Sequence, residues 1–198
     1  MSLGPLLVAG ALLSVERACY VWIARAPGSF RAFVARAGLG DPVGVVEKLF
    51  YAFKALQLSV FAAWCYVHGA SMMPTAPASL ITAAAVVIVA GQGLVMSAFY
   101  QLGRVAVFFG DRLGHDVPWC WAFPFSALPH PQYFGTVLTI WAFFAAMRFP
   151  FPDWYVLPVV ETVYYGIGAL LEEPAPDGER SGSSPARCGP TRHRDERA

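Results

Sequence analysis

Charged residues are missing from two long stretches of this sequence. No Asp, Glu, Lys or Arg occurs between Lys54 and Arg104, a gap of 49 residues, and a second gap of 31 residues separates Asp116 from Arg148. Soluble domains average about 25% charged residues and need them to cover their surface. Of these 198 residues only 14% are charged and 57% are hydrophobic. The sequence therefore predicts an all-α, multi-pass transmembrane helical bundle.

Five apolar segments can be identified, and about 20 residues suffice for a helix to cross the hydrocarbon core. They are residues 6–24, 49–67, 80–102, 133–147 and 154–171. The first is interrupted by Glu16 and Arg17 and could instead lie re-entrant or in the interface, so we predict four to five membrane helices. Two prolines within 148–153 stop any helix and predict a tight turn there.

The basic residues orient this bundle. Counting loops and tail, eleven Lys and Arg residues fall on one side and only Arg148 falls on the other. The eleven lie in the loops 25–48 and 103–132 and in the tail beyond Leu171. The positive-inside rule then predicts a cytosolic C-terminus. We expect a membrane-embedded domain over 1–173 and a disordered cytosolic tail over 174–198, which is rich in Pro, Gly, Ser and charge.

The composition excludes several classes of protein. A formal net charge of +1 excludes a nucleic-acid binder that works by phosphate neutralisation. The four cysteines are scattered and form no C-x-x-C pair, so neither a zinc site nor a disulfide framework is supported, and no metal is expected. The four histidines show no paired helical spacing, which disfavours a haem or quinone protein.

Three polar clusters interrupt the apolar chain, and the predicted topology places them near one membrane face. The first is Gly91-Gln92-Gly93, inside the third apolar segment. Small residues in membrane helices usually permit close helix packing. The functional alternative is a notch at which a ligand touches the backbone, and the residues alone leave both interpretations open.

The second cluster is F-P-F at 123–125 followed by H-P-Q-Y-F-G at 130–135. Pro131 suits the first turn of a helix, where its missing N–H does no harm. His130 then lies at or near the N-cap, beside unpaired backbone donors. The structural alternative is the interfacial start of a helix within an aromatic belt.

The third cluster is Glu172-Glu173-Pro174, at the end of the fifth segment. Acidic residues at a helix C-terminus oppose the macrodipole, so this placement calls for a nearby cation. Helical spacing puts Glu161 on one face with Tyr165, Gly168 and Glu172. An acid within a membrane segment is a functional hypothesis, although pairing with Lys54 or Arg148 is the structural alternative.

In their order and spacing these motifs resemble those of the phospholipid methyltransferases. The resemblance covers roughly residues 15–174 and rests on the G-x-G, the F-P-F and H-P-Q-Y-F-G block, and the terminal E-E-P. The H-P-x-Y-x-G and E-E elements are also similar to those of the isoprenylcysteine carboxyl methyltransferases. The F-P-F and the upstream G-x-G favour the phospholipid enzymes.

The resemblance implies transfer of methyl groups from S-adenosylmethionine to the amine of phosphatidyl-N-methylethanolamine, and of its dimethyl or unmethylated forms, to give phosphatidylcholine. The cofactor-binding residues that it implies are Gly91, Gln92, Gly93, Glu172 and Glu173. The phospholipid substrate would enter from the bilayer through a lateral gap between helices. The expected location is the endoplasmic reticulum membrane in a eukaryote, or the cytoplasmic membrane in a bacterium.

Methylation of an amine requires that the amine be neutral, and a base can take its proton. His130 and Glu161 are the candidate catalytic bases. Two alternatives stay open. An isoprenylcysteine-type enzyme would methylate a carboxylate with the same cofactor residues, and a non-enzymatic membrane scaffold would leave the glycines and glutamates unexplained.

Overall fold

The computed structural model describes residues 3–68, 73–117 and 122–172, with residue 172 described by its backbone only. Within these ranges the chain forms helices and turns and no strand. The helices are, in chain order, α1 Leu3–Arg25, α2 Pro27–Arg36, α3 Pro42–His68, α4 Ala78–Val107, α5 Pro131–Arg148 and α6 Val156–Glu172. The tail predicted over 174–198 lies outside the described residues.

Three of these helices are long and apolar enough to cross a membrane: α1, α3 and α4, with 23, 27 and 30 residues. The two helices that follow them are shorter, α5 with 18 residues and α6 with 17. At 1.5 Å per residue α5 is about 27 Å long, close to the thickness of about 30 Å of the hydrocarbon core. The prediction of an all-helical, multi-pass membrane protein is confirmed, and full crossings by α5 and α6 stay a prediction.

The loop predicted over 25–48 is wrong in part, because this stretch contains α2 and the start of α3. α2 has Pro27 in its first turn, a position that tolerates proline. Phe30 and Val34, one turn apart, are buried, while the arginines of this helix are exposed. Only two positions of α2 face the core, so the sequence offers no apolar run that would predict it.

α4 and α5 pack closely through glycine. A Cβ atom on Gly91 would lie 2.6 Å from Gly135 O and 2.8 Å from Thr139 Oγ1, so this approach requires a residue without a side chain. Just before α4, Ala76 N donates to Ala146 O near the end of α5 at 3.3 Å. The two helices therefore run antiparallel, and their register is set by these contacts.

Two apolar cores hold the remaining helices together. The first joins α1, α3, α5 and α6, and Phe144 and Leu157 are fully buried within it. The second lies toward the end of α1 and joins that helix to α2, α3 and residues 108–113, with Ile23 and Val46 among its buried members. Between the two cores, α1 and α3 carry charged residues.

The turn between α5 and α6 is tight, as its two prolines predict. Arg148 is 2% exposed and forms an ion pair with Asp153, with Nη2 2.6 Å from Oδ1 and 2.8 Å from Oδ2. Thr75 Oγ1 donates to Phe149 O at 2.7 Å, which ties the segment before α4 to this turn. Polar contacts thereby hold together the segment before α4 and the α5–α6 turn at this end of the bundle.

Candidate active site

The two glycines of the G-x-G have different surroundings. Gly91 is buried against Gly135, and a side chain there would collide with α5. Gly93 is exposed and has no atom within 4 Å of the position that a Cβ would take. Gln92 is exposed and its Nε2 donates to Thr139 Oγ1 at 2.9 Å. Close packing therefore explains Gly91, and the surface beside Gly93 is open to a ligand.

α5 begins as its sequence predicts. His130 is the N-cap residue and Pro131 lies in the first turn. The His130 side chain makes no cap hydrogen bond, and its ring stacks on Tyr133 with centroids 5.6 Å apart. Gln132 Oε1 is buried and accepts no hydrogen bond from the described residues. The first turn of α5 thus presents an acceptor that is not among the site residues predicted from the sequence.

The inner face of α6 carries the residues that helical spacing predicts. Glu161, Tyr165 and Gly168 are all buried. Glu161 Oε1 accepts a hydrogen bond of 2.7 Å from Gln57 Nε2 on α3. The ion-pair partners expected for Glu161 are engaged elsewhere, since Lys54 pairs with Glu16 and Arg148 with Asp153.

The C-terminal end of α6 is in contact with a cation. Arg25, the last residue of α1, donates from Nε to Leu171 O at 2.7 Å, an arrangement that satisfies a terminal carbonyl and complements the helix dipole. The acidic end of α6 is predicted to need a nearby cation, and Arg25 supplies one. The side chain of Glu172 and the whole of Glu173 lie outside the described residues.

Helix registers bring the G-x-G, the start of α5 and the end of α6 at residue 172 toward the same end of the bundle. The antiparallel pairing of α4 and α5 puts Gly93 level with Tyr133 in the first turn of α5. The rings of Tyr133 and Tyr165 are 5.3 Å apart, which links this level to α6. Glu172 is seven residues farther along α6, or about 10 Å along the helix axis.

A group of polar side chains fills the space between the two apolar cores, and we call it the buried charge cluster. Its members, from α1, α3 and α6, are Glu16, Arg17, Lys54, Gln57, Glu161 and Tyr165. All are buried except Lys54, whose side chain is 27% exposed. An ionisable residue in a bilayer costs about 2.5–3.5 kcal/mol on insertion scales, so such residues usually serve a function.

Lys54 is the centre of the hydrogen bonding in this cluster. Its Nζ lies 3.1 Å from Glu16 Oε1, 3.1 Å from Gln57 Oε1 and 3.0 Å from Tyr165 Oη. Through Gln57 it is also connected to Glu161. These contacts join α1, α3 and α6 and balance two cations against two carboxylates.

Arg17 lies beside Lys54, among tyrosine rings. Its Cζ is 3.8 Å from the centroid of the Tyr165 ring and 5.5 Å from that of Tyr133. Its Nη2 donates to Glu16 Oε1 at 3.3 Å. Both Arg17 Nη1 and Tyr20 Oη are buried and have no hydrogen-bond partner among the described residues. This side of the cluster therefore keeps two unused donors.

The sequence marks this cluster only through charged residues within apolar segments, and such residues by themselves predict interrupted helices, not a cluster. Glu16, Arg17 and Lys54 each interrupt an apolar segment, which marks a residue for function in a membrane helix. The sequence does not predict that these residues contact one another, because the contact depends on which faces of α1 and α3 are turned toward each other in the bundle. His130 stacks on Tyr133, whose ring meets that of Tyr165 edge-on, so two ring contacts connect His130 to this cluster. Glu161 is a member of the cluster through its hydrogen bond from Gln57.

These features define a class of protein: a multi-pass helical membrane protein with the G-x-G and the start of α5 toward one end and a charged cluster inside the bundle. Across residues 3–68, 73–117 and 122–172, no three His, Cys, Asp or Glu side chains lie together as a metal site requires. The sequence model of the phospholipid methyltransferase family matches residues 79–176, so the resemblance to that family is confirmed over this range.

Curated relatives give similar matches over shorter regions. The chain is 35% identical over 52 residues to phosphatidyl-N-methylethanolamine N-methyltransferase of Arabidopsis thaliana, which covers 26% of this chain and 32% of the relative. It is 36% identical over 89 residues to phosphatidylethanolamine N-methyltransferase of Rattus norvegicus, covering 42% and 43%. The Mus musculus protein of the same name is 35% identical over 83 residues, covering 40% of each.

The matches span between about a third and somewhat over two fifths of the length of these relatives. No solved structure shows a significant match to the chain. The family range of 79–176 includes the G-x-G, the start of α5 and the end of α6. It excludes α1 and α3, so Arg17 and Lys54 of the buried charge cluster lie outside it.

Proposed function

We propose that this protein transfers methyl groups from S-adenosylmethionine to the amine of phosphatidylmonomethyl- and dimethylethanolamine, ending in phosphatidylcholine. The observation that carries the proposal is that the G-x-G, the His130 block and the end of α6 lie toward the same end of the bundle, all inside the family range. The proposed location is the endoplasmic reticulum membrane in a eukaryotic host or the cytoplasmic membrane in a bacterial one, with the C-terminus in the cytosol.

The described residues fit a cofactor of this kind. The open surface at Gly93 allows a ligand to approach the backbone, and Gln132 Oε1 is a buried acceptor without a donor among the described residues. Carboxylates at Glu172 and Glu173 would accept hydrogen bonds from an ammonium group or ribose hydroxyls. Gly91 would act indirectly, because its lack of a side chain sets the distance between α4 and α5. When bound, S-adenosylmethionine supplies an electrophilic methyl group on a sulfonium.

The chain's own tasks in this reaction are alignment and exclusion of water. A new C–N bond forms as the C–S bond breaks, and the electron pair of the C–S bond goes to sulfur. Bringing the amine and the methyl group into line is worth several kcal/mol as a general effect of orientation. Membrane helices around the site exclude water and so favour the uncharged amine and the loss of sulfonium charge.

A base is needed because an alkylamine has a pKa of about 10.4, so it is protonated at neutral pH. Glu161 and His130 are the proposed acceptors of this proton. Glu161 lies inside the buried charge cluster and already accepts one hydrogen bond from Gln57. His130 lies nearer the end of the bundle and stacks on Tyr133. The rings of Tyr133 and Tyr165 connect His130 to the cluster that contains Glu161, which supports a role for both near one reaction centre.

The test is a membrane assay with methyl-labelled S-adenosylmethionine. Membranes from cells that express the chain are compared with membranes from the same host without it, and lipids and prenylated peptides are separated after the reaction. We expect label in phosphatidyldimethylethanolamine and phosphatidylcholine. Label in a prenylcysteine methyl ester would instead support a carboxyl methyltransferase, and absence of label from folded protein would support a scaffold.

A further inference from the structure

Arg17 keeps one side of its guanidinium unused inside the bundle. The residue is 7% exposed, its Nη2 is engaged by Glu16, and its Nη1 is buried without an acceptor in the described part of the chain. A buried donor without an acceptor is unfavourable, more so when it is charged. A ligand that supplies an acceptor at this position would remove that cost.

Tyr20 provides a second unused donor on the same helix. It lies three residues after Arg17, on the same face of α1, and its ring centroid is 5.8 Å from Arg17 Cζ. Tyr20 is 6% exposed, and its hydroxyl has no partner among the described residues. Two unpaired donors on one face of α1, one of them cationic, match an anion with at least two accepting oxygens.

We propose that Arg17 and Tyr20 bind the phosphodiester of the phospholipid substrate, with Arg17 Nη1 and the Tyr20 hydroxyl donating to its non-bridging oxygens. The choice of lipid rests on the proposed function above. Arginine is the residue best matched to phosphate, because its planar guanidinium presents donors in a fixed geometry. Both residues lie on α1, outside the range that the family model matches.

The depth of the site favours a lipid over a soluble anion. Arg17 lies eight residues before the end of α1, or about 12 Å along the helix. The side chain of Lys54 is partly exposed on the flank of α3, next to the exposed residues Tyr51 and Leu58. A head group that enters here keeps its acyl chains in the surrounding bilayer.

The charges of the cluster favour a zwitterionic head group. Glu16 and Glu161 balance Arg17 and Lys54, so a lone anion would leave one unpaired negative charge in a low-dielectric site. An ethanolamine phospholipid brings its own cation, only two carbons from the phosphate. With the phosphate on Arg17, the amine stays beside the Tyr165 ring and within reach of the Glu161 side of the cluster.

The proposed phosphate site is separate from the proposed cofactor site but adjacent to it. Arg17 contacts the ring of Tyr133, and Tyr133 is level with Gly93. The cofactor residues lie on α4, α5 and α6, whereas the phosphate donors lie on α1. Substitutions at the phosphate site should therefore weaken lipid binding without weakening cofactor binding.

The sharpest test is Tyr20→Phe, with Tyr164→Phe as the matched control. Tyr20→Phe removes an unpaired hydroxyl, so the thermal stability of the full-length protein in detergent should not fall. Its affinity for phosphatidylmonomethylethanolamine and for phosphatidylethanol, a phosphodiester without an amine, should fall about 10-fold. Tyr164→Phe removes a 3.0 Å hydrogen bond to Gly10 O, so it should lower stability and leave both lipid affinities unchanged.

Arg17→Lys is the second variant, because it keeps the charge and loses the planar donor geometry. Arg17→Lys should lower the affinity for both phosphodiester lipids and leave the affinity for S-adenosylhomocysteine unchanged. Lipid affinities like those of the wild type in both variants would overturn the proposal. Weaker S-adenosylhomocysteine binding with unchanged lipid binding would also overturn it, since the oxyanion would then be the carboxylate of the methyl donor. A wild-type protein that binds these lipids but methylates none would refute the proposed function and leave the phosphate site intact.

Discussion

Adding one methyl group at Gly91 should lower the thermal stability of the protein, whereas adding one at Gly93 should leave it unchanged or raise it. In Gly91→Ala the new Cβ would lie 2.6 Å from Gly135 O and 2.8 Å from Thr139 Oγ1. Gly135 O belongs to the backbone of α5, so the helices themselves must move apart. Overpacking of this kind costs about 1–3 kcal/mol, and Gly91→Ala should therefore lower the unfolding temperature.

Gly93→Ala meets no atom within 4 Å. Replacing an exposed helical glycine by alanine stabilises a helix by up to about 1 kcal/mol, so the stability of this variant should be unchanged or higher. Its affinity for S-adenosylhomocysteine should fall about fivefold, equivalent to about 1 kcal/mol, if the ligand touches the backbone at Gly93. Gly166→Ala is the control, because Gly166 is also exposed, on α6, with no atom near its Cβ position.

Two measurements on the detergent-purified variants separate these effects. Thermal unfolding followed by circular dichroism reports stability, and isothermal titration with S-adenosylhomocysteine reports cofactor affinity. An unfolding temperature of Gly91→Ala equal to that of the wild type would refute the tight packing of α4 on α5, because the collision would then have no consequence. Wild-type affinity in Gly93→Ala would remove Gly93 from the proposed cofactor site.

Three further predictions concern charges. Glu172→Gln and Glu173→Gln should each weaken S-adenosylhomocysteine binding roughly 10- to 150-fold in titrations, the effect of losing a charge-assisted hydrogen bond of about 1.5–3 kcal/mol; unchanged affinity would exclude them from the site. Asp153→Asn should destabilise the protein by about 3–5 kcal/mol in thermal unfolding, because it leaves the buried Arg148 without its counter-charge; an unchanged unfolding temperature would contradict this. A reporter fused after Glu173 should be accessible only from the cytosol, and labelling from the other side would reverse the predicted orientation.

The apolar runs of the sequence predict most of the fold, because a bilayer demands long uninterrupted apolar helices. α1, α3 and α4 extend beyond the predicted segments by several residues but occupy the same places. α2 is not predicted, since Phe30 and Val34 are its only buried positions and its exposed arginines are equally expected in a loop. Pro131 correctly predicts the start of α5, because the restriction that proline places on a helix is local.

The candidate site is only partly predictable from the sequence. A G-x-G inside a helix does not reveal which glycine faces a neighbouring helix; the structure places Gly91 against α5 and leaves Gly93 exposed. Arg25 reaches the end of α6 from 146 residues away in the sequence, a contact that no local pattern encodes. The same holds for Arg17 and Lys54, whose charges are visible in the sequence but whose common cluster depends on tertiary packing.

An amino phospholipid is the proposed acceptor of the methyl groups. The most direct measurement is mass spectrometry of the lipids of a host that makes no phosphatidylcholine, grown without choline and with methionine deuterated on its methyl group. Expression of this chain should yield phosphatidylcholine with deuterated methyl groups on its nitrogen, and the number of labelled methyls would count the transfers. If the folded protein accumulates in the membrane and no head group of any amino phospholipid gains deuterium, the claim is contradicted.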